Sequence, residues 1–529
     1  MDAGYYGSMS ILARIVRRWA SRTRTRLPGY VLLFAIIALL AMMLLGMMSL
    51  QLAMYKLDYL AKERSRAQAA QLAEAGENMA EAYLRSLGTP PTGTLSSPLD
   101  GSSVALSNGT CRASIVPDAG NDGAWLKQYL ITATGQAQIG GAVSTVKVKL
   151  RQQSFALYAY FSEQERSSVS GGVIWFYAHD QLSGPVFSND TLHVAWDPSA
   201  THPMFYNTVG STSAAIDWGS AGAPANAAHW AQVLAGGASA LTLNSQPIPL
   251  PASTSLQQCA AWGAAAGFPT TNGIYLPSNG FALSGGLYIT GDCQAAFSVD
   301  SATGNQIVTI TQGSNTTTLD IDLVNNQTRA TVNAQAPVTS AGTPNGVLYC
   351  TGNITSLQGT LADNAWSGSR ILRANAWTVV ADAAAGKSIA ITNNLQYLTA
   401  PNAALPASSN VNVRAATLGL FANNVTIQAG CPATLTIDAV VLAGSSSTPT
   451  GSFSYAAYNT AVDNTLNLLG GVIQNQRGAV GTFNPSTYAQ VTGYSKNYVY
   501  DPRMANTPPP YFPTTGGYDV LSWQCQGAG

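Results

Sequence analysis

From Gly29 to Tyr55 the chain carries no charged residue, and the run GYVLLFAIIALLAMMLLGMMSLQLAMY is almost entirely apolar. A helix crossing a bilayer needs about 20 apolar residues, so this run is long enough to span one. Beyond it no proline occurs between Pro28 and Pro90, and Leu72, Gly76, Met79, Ala80, Tyr83, Leu84 and Leu87 recur at three- and four-residue steps. That spacing predicts one continuous helix over 30–88 whose outer half carries an apolar stripe. Gly88 and Thr89-Pro90-Pro91 supply its stop.

The period then changes. Thr110–Val116, Gln128–Ala133 and Val143–Leu150 alternate apolar and polar residues, the pattern of half-buried strands, and the aromatic run Phe155–Phe161 (FALYAYF) follows them as a further expected strand. From Gly171 onwards short apolar runs recur between Gly, Asn and Ser: GVIWFY at 172–177, GLYIT at 286–290, IVTI at 307–310, TLDIDLV at 318–324 and GVLYCTGNIT at 346–355. They continue as WTVV at 377–380, SIAI at 388–391, LGLFANNVTI at 418–427, LTIDAVVLAG at 435–444 and LNLLGGVIQ at 466–474. Several read as strand–corner–strand units with Asn or Gly-Asn at the corner, residues that tolerate the positive φ of a tight turn. The units lie about 20 to 40 residues apart without a strict period, as stacked coils with inserted loops would. The predicted fold is therefore mainly β with a long N-terminal helix: a small antiparallel sheet, then a β-solenoid-like body, with a β-sandwich body as the alternative.

Composition narrows the class. Charged residues are 9% of the chain, with 10 Trp, 23 Tyr and 13 Phe. A soluble helical enzyme carries about 25% charge, and a disordered chain lacks aromatics to bury. The net charge of zero hides an asymmetry: residues 1–66 hold ten Lys and Arg against three Asp and Glu, so the remainder is mildly acidic. Arg14, Arg17, Arg18, Arg22, Arg24 and Arg26 all precede the apolar run. Basic residues on one flank place that flank in the cytoplasm. The expected topology is a single pass of a bacterial inner membrane, residues 1–29 inside and 56–529 outside. A cleaved signal peptide has an apolar region of about 7–15 residues and a small-residue cleavage site, and this run is longer and lacks one.

The basic leader, the Gly29-Tyr30 junction, the apolar helix and Ala73-Glu74-Ala75-Gly76 together resemble the type IV pilin superfamily, most closely its PilX-type minor pilins and pilus-assembly proteins. Leu182-Ser-Gly-Pro-Val-Phe-Ser-Asn189 after the GVIWFY run, and YVYDPRMANTPPPYFP at 498–513, resemble segments of large members of that group. The resemblance implies cleavage by a prepilin peptidase after Gly29, leaving Tyr30 as the new terminus. It departs from the major pilins at Pro28 and at Phe34, where they carry a glutamate used in filament packing. It also implies an order of domains: a basic leader 1–29, a transmembrane and extended pilin-like helix 30–88, a linker 89–98, a small pilin-like β head 99–170 and the β body 171–529.

Candidate chemistry is sparse. Cys111, Cys259, Cys293, Cys350, Cys431 and Cys525 all follow the apolar run, show no zinc spacing and are even in number. In an oxidising compartment they predict at least two disulfides, chiefly among the five from Cys259 to Cys525. His179, His193, His202 and His229 form a loose cluster without metal-binding spacing, and no nucleotide-binding or nucleophile motif occurs. Asp320 and Asp322 share one strand face near Asp292 and Asp300, a set a polysaccharide lyase would use and that solvated strand edges also produce. Lys147, Lys149 and Arg151 share one strand face beside Phe155, Tyr158, Tyr160 and Phe161, a stripe that suits a nucleic-acid strand or simply a solvated face. No enzyme activity and no cofactor or metal are predicted. The expected role is that of a pilus-assembly component. Its partners would be the membrane, other pilins or pilus-assembly proteins, surface glycans or proteins, and DNA through the basic stripe. A membrane-anchored β-helical adhesin unrelated to pili and an anchored polysaccharide-processing enzyme are the other readings.

Overall fold

The computed structural model describes residues 28–527 apart from 88–90, 92, 94, 96–98, 119–124, 178–179, 198–201, 368–369, 403, 407 and 485–489. The six leader arginines, His179 and most of the 89–98 linker lie outside the described residues. A single helix, α1, runs from Pro28 to Ser86, with its proline in the first turn where no N–H is needed. At about 1.5 Å per residue it is roughly 88 Å long. Residues 30–64 are exposed on every side. Burial begins at Ser65 and follows Ala69, Leu72, Ala73, Gly76, Ala80 and Leu84, one stripe of the helix.

That stripe lies on an antiparallel sheet of β1 (Asp100–Leu106), β2 (Gly109–Pro117), β3 (Gln128–Ala137), β4 (Val143–Ser154) and the C-terminal strand Thr514–Gly527, in that order. Small residues on both surfaces let the backbones meet. A Cβ on Gly135 would stand 2.2 Å from the Ala69 carbonyl oxygen, and one on Gly76 would stand 3.4 Å from Ala133 Cβ. Within the expected motif Ala73 and Gly76 are therefore contact residues, Ala75 is half-buried and Glu74 points to solvent. Met79 and Tyr83, expected on the buried face, are 36% and 40% exposed because the contact stripe runs through the small residues instead. Ile115, Tyr129, Ile131, Val146, Val148 and Leu150 fill the space beneath α1.

Phe155–Phe161 was expected as a strand but turns. Ser154 Oγ accepts the Ala156 N–H and caps a short 3-10 helix over Phe155–Leu157. The next strand, Tyr160–Ser167, has already left the head sheet. The expected strand at 172–177 is reduced to isolated bridges at Val173 and Phe176.

In the body, ten strands stack in parallel: Leu287–Thr290, Val347–Cys350, Ala376–Ala381, Thr417–Ala422, Leu435–Ala443, Val462–Arg477, Tyr160–Ser167, Val186–Ser188, Val209–Ser211 and Leu241–Thr242. The chain enters this ladder in its middle. It winds outward from Tyr160 to Thr242, crosses to the far end, and winds back from Leu287 until Val472 pairs with Tyr160. A second parallel ladder joins Cys293–Val299, Ile354–Leu361, Ser388–Tyr397, Asn424–Ile427 and Phe453–Tyr455. The pattern of a long helix followed by a mostly β body is thus present. The corner asparagines have a different purpose from the one expected. Neither Asn353 nor Asn424 has a positive φ. Their side-chain oxygens accept the N–H of Ser388 and Ser452 on the next rung, at 3.1 and 3.2 Å.

Alternation along each rung divides its side chains between two cores. Leu348, Cys350, Val379, Leu418, Leu420 and Val441 point to one side with the second ladder. Tyr288, Tyr349, Val380, Phe421, Val440 and Phe161 point to the other. That outer layer is covered by the crossing segment, which bonds rung after rung: Ile248 to Asn189, Pro251 to Ser445, Thr254 to Asp382 and Gln258 to Tyr288. The closing segment lies on it too, with Met504 and Phe512 buried there.

The structure carries no disulfide among the six cysteines, and the expected bridges are not seen in it. Rung stacking spreads them apart. Cys111 and Cys525 lie on different strands of the head, Cys259 is on the covering helix Ser255–Trp262, and Cys431 sits in a turn against the Ile391 carbonyl. Cys293 and Cys350 alone are brought together, both buried, with their Sγ atoms 3.7 Å apart.

Candidate functional site

The place where the returning chain meets the first body strand gathers several charged side chains, two of them buried. Val472, Ile473 and Gln474 pair with Tyr160, Phe161 and Ser162. Just beyond, Arg477 and Glu165 form an ion pair of 3.1 Å with side chains 7% and 0% exposed. Glu165 Oε1 also accepts the Tyr160 hydroxyl at 2.9 Å and the Ser162 hydroxyl. The Arg477 guanidinium lies 4.2 Å from the centre of the Phe176 ring, a cation–π contact. Asp180 stands next to this group, accepting the Tyr177 N–H at 2.9 Å and lying 3.3 Å from Lys496 Nζ. Burial opposes ionisation of Asp180, but Lys496 and Arg477 outweigh it and hold the carboxyl below its usual range.

Two cavities flank this cluster. One, of 280 Å³, is lined by Tyr160, Gln181, Tyr206, Asn497 and Tyr498; the other, of 330 Å³, by Trp175, Tyr177, Val480 and Phe483. Asp180, Arg477 and Lys496 line both. Small-molecule sites start at about 300 Å³ and combine apolar walls with a few convergent polar groups, as these do. A larger hollow of 670 Å³ separates head from body. Arg151 crosses from head to body, and Arg503 ties together segments of the body. Arg151 donates to the Ala505 carbonyl at 2.9 Å, and Arg503 pairs with Asp501 and donates to the Ala415 carbonyl at 2.7 Å.

The sequence-predicted residues fall elsewhere. Lys147, Lys149 and Arg151 do share the sheet face away from α1, as alternation required. Only Lys147 is exposed; Lys149 pairs with Asp118 at 2.7 Å, and Arg151 reaches Asp519 at 3.6 Å and the body. The neighbouring aromatics Phe155, Tyr158, Tyr160 and Phe161 are buried and form no stacking surface beside the stripe. His193 bonds Asp217 at 2.8 Å, while His202 and His229 both pack on Trp196. Among the described residues no three His, Cys, Asp or Glu side chains gather as a metal site. Asp292, Asp300, Asp320 and Asp322 each bond nearby turn or strand groups. Gly29 lies in the first turn of α1 and Tyr30 is 61% exposed. Sequence reasoning missed Trp175, Asp180, Arg477 and Lys496; the ion-pair partners of the last three are about 300 residues away in the chain. The one available signal was a lone arginine closing the apolar run LNLLGGVIQNQR.

A sequence model for a domain of unknown function (DUF4900) matches residues 124–214, from the middle of the head sheet through the first body rungs. No curated protein matches the chain. Among solved structures the chain is similar to the competence-associated pilin ComZ from Thermus thermophilus. Identity is 15% over 88% of this chain and 98% of that one, with a TM-score of 0.28. An overlap that small carries no argument about this chain.

Proposed function

We propose that this chain is a non-catalytic, pilin-like component of a type IV pilus or a related assembly, held in the inner membrane by α1 and presenting its β body outward. One observation carries the reading. The helix that leaves its apolar residues 30–55 exposed continues without a break into the stripe clamped on the head sheet. Anchor and head are one rigid element, so the body is held at a fixed distance from whatever encloses the exposed half. The parallel ladders support a solenoid-like body suited to contact along its length. The leader arginines support a cytoplasmic N-terminus, and Gly29-Tyr30 is the proposed processing site.

The seam supports binding over catalysis. Asp180 is held ionised by cations, and Glu165 uses its oxygens on Tyr160, Ser162 and Arg477. A deletion strain is expected to lose piliation, adhesion, twitching or transformation. The full-length chain should restore the phenotype, and a secreted body lacking residues 1–90 should not. Rescue by that body would refute the anchored reading. In peptidase-positive cells mass spectrometry should find Tyr30 as the terminus, and Gly29→Ala should abolish that processing.

A further inference from the structure

We propose that the 330 Å³ cavity beside Arg477 binds a neutral carbohydrate. The inference deepens the reading of the body as an outward interaction module and rests on it. Its first basis is the wall. Trp175, Tyr177 and Phe483 face one hollow, with Tyr177 and Phe483 each 40% exposed. Aromatic faces left open to water carry a cost that an apolar partner removes. Trp175 is fixed in place, its ring 5.3 Å from that of His193 and packed edge to face.

The second basis is charge. The floor holds Asp180, Arg477 and Lys496, and with Glu165 behind Arg477 the two carboxylates balance the two cations. An anionic or cationic ligand would have to break one of these pairs to gain a partner. A polyol does not: adjacent hydroxyls donate to the Asp180 carboxylate and accept from the Lys496 ammonium while that pair stays intact. A pyranose presents such hydroxyls at its rim and C–H groups on its face, matching a polar floor beside aromatic walls. The chemistry thus selects an uncharged sugar unit, and the openness of Tyr177 and Phe483 places further units of a glycan outside the cavity.

The test uses full-length protein in detergent, titrated with neutral gluco-, galacto- and manno-oligosaccharides, with oligogalacturonate, and with a tryptophan-containing peptide, followed by calorimetry and Trp fluorescence. At least one neutral oligosaccharide should bind and perturb the fluorescence. Trp175→Ala, and separately Asp180→Asn, should each weaken that binding about tenfold or more. Phe483→Ala, at a more exposed position, gives the same comparison if Trp175→Ala fails to fold. Binding of the uronate or the peptide alone, no binding by any neutral sugar, or neutral-sugar binding untouched by these substitutions would overturn the inference. None of those outcomes bears on whether the body is anchored outside the membrane, which cell-surface labelling decides separately.

Discussion

Replacing Arg477 with methionine tests whether the seam depends on its buried ion pair. Arg477→Met keeps most of the side-chain length but leaves Glu165, fully enclosed, with only the Tyr160 and Ser162 hydroxyls for company. Removing one partner of a buried ion pair typically costs about 3–5 kcal/mol, chiefly because the remaining charge is stranded. Loss of the guanidinium from the Phe176 and Tyr160 rings adds to this, while methionine recovers part of the packing. The net expectation is about 3–4 kcal/mol against the seam. A chain this large and segmented does not unfold in one step, so the assay is local: hydrogen exchange of peptides covering 160–167 and 472–477. Protection there should fall by about two orders of magnitude or more, with the head sheet unchanged. The double variant Glu165→Gln, Arg477→Met removes both charges and keeps an acceptor for Tyr160, and should regain most of the protection. Wild-type exchange in Arg477→Met, or a double variant as open as the single one, would refute this account of the seam.

Gly135→Val should undock α1 from the head, because its side chain would meet the Ala69 carbonyl and Ala73 N–H; circular dichroism should keep the helix while protease reaches 65–84. Asp438 is buried beneath the Tyr397 N–H and its pKa is raised to about 6, mainly by burial. A raised folded-state value means this carboxyl favours folding below its unfolded value of about 4 and loses that advantage as pH rises through about 6. Asp438→Asn should therefore gain on the wild type between pH 4 and pH 7 by about 2–3 kcal/mol, read as a growing gap in hydrogen-exchange protection, corrected for intrinsic rates, of peptides covering 388–397 and 435–443; a constant gap would contradict the burial argument. Cys293 and Cys350 are the pair expected to bridge when a disulfide-bearing oxidoreductase acts on the body while it folds, before burial closes over them, each thiol losing its proton as the oxidant is reduced. Closing a loop of 57 residues' separation would stabilise by about 4 kcal/mol. Peptide mapping after such treatment should find that bridge, and a bridge between any other two cysteines would count against the stacking described here.

Legibility in the sequence followed the range of the interactions. Period 3.6 revealed α1 and period 2 revealed β2 to β4 and most body rungs, because each element exposes its own face pattern over a few residues. The same alternation placed Lys147, Lys149 and Arg151 on one face, but nothing local announced that Asp118, Asp519 and the Ala505 carbonyl would occupy two of them. The C-terminal strand Thr514–Gly527 was read as part of the body, whereas its partner is β4, some 360 residues earlier. Phe155–Leu157 opens an aromatic run that reads as a strand and turns because Ser154 offers a cap. The seam was hidden for a related reason. Its residues come from 160–180 and 477–496, and only the chain's return along the ladder brings them together.

The central claim is that α1 anchors the chain with the β body on the outer side of the membrane. Cys525 is the exposed member of the six cysteines, on the last strand of the head. A membrane-impermeant maleimide applied to intact spheroplasts should label it on the native full-length chain, and Cys525→Ser should remove that labelling. Labelling of Cys525 only after the membrane is broken would contradict the account.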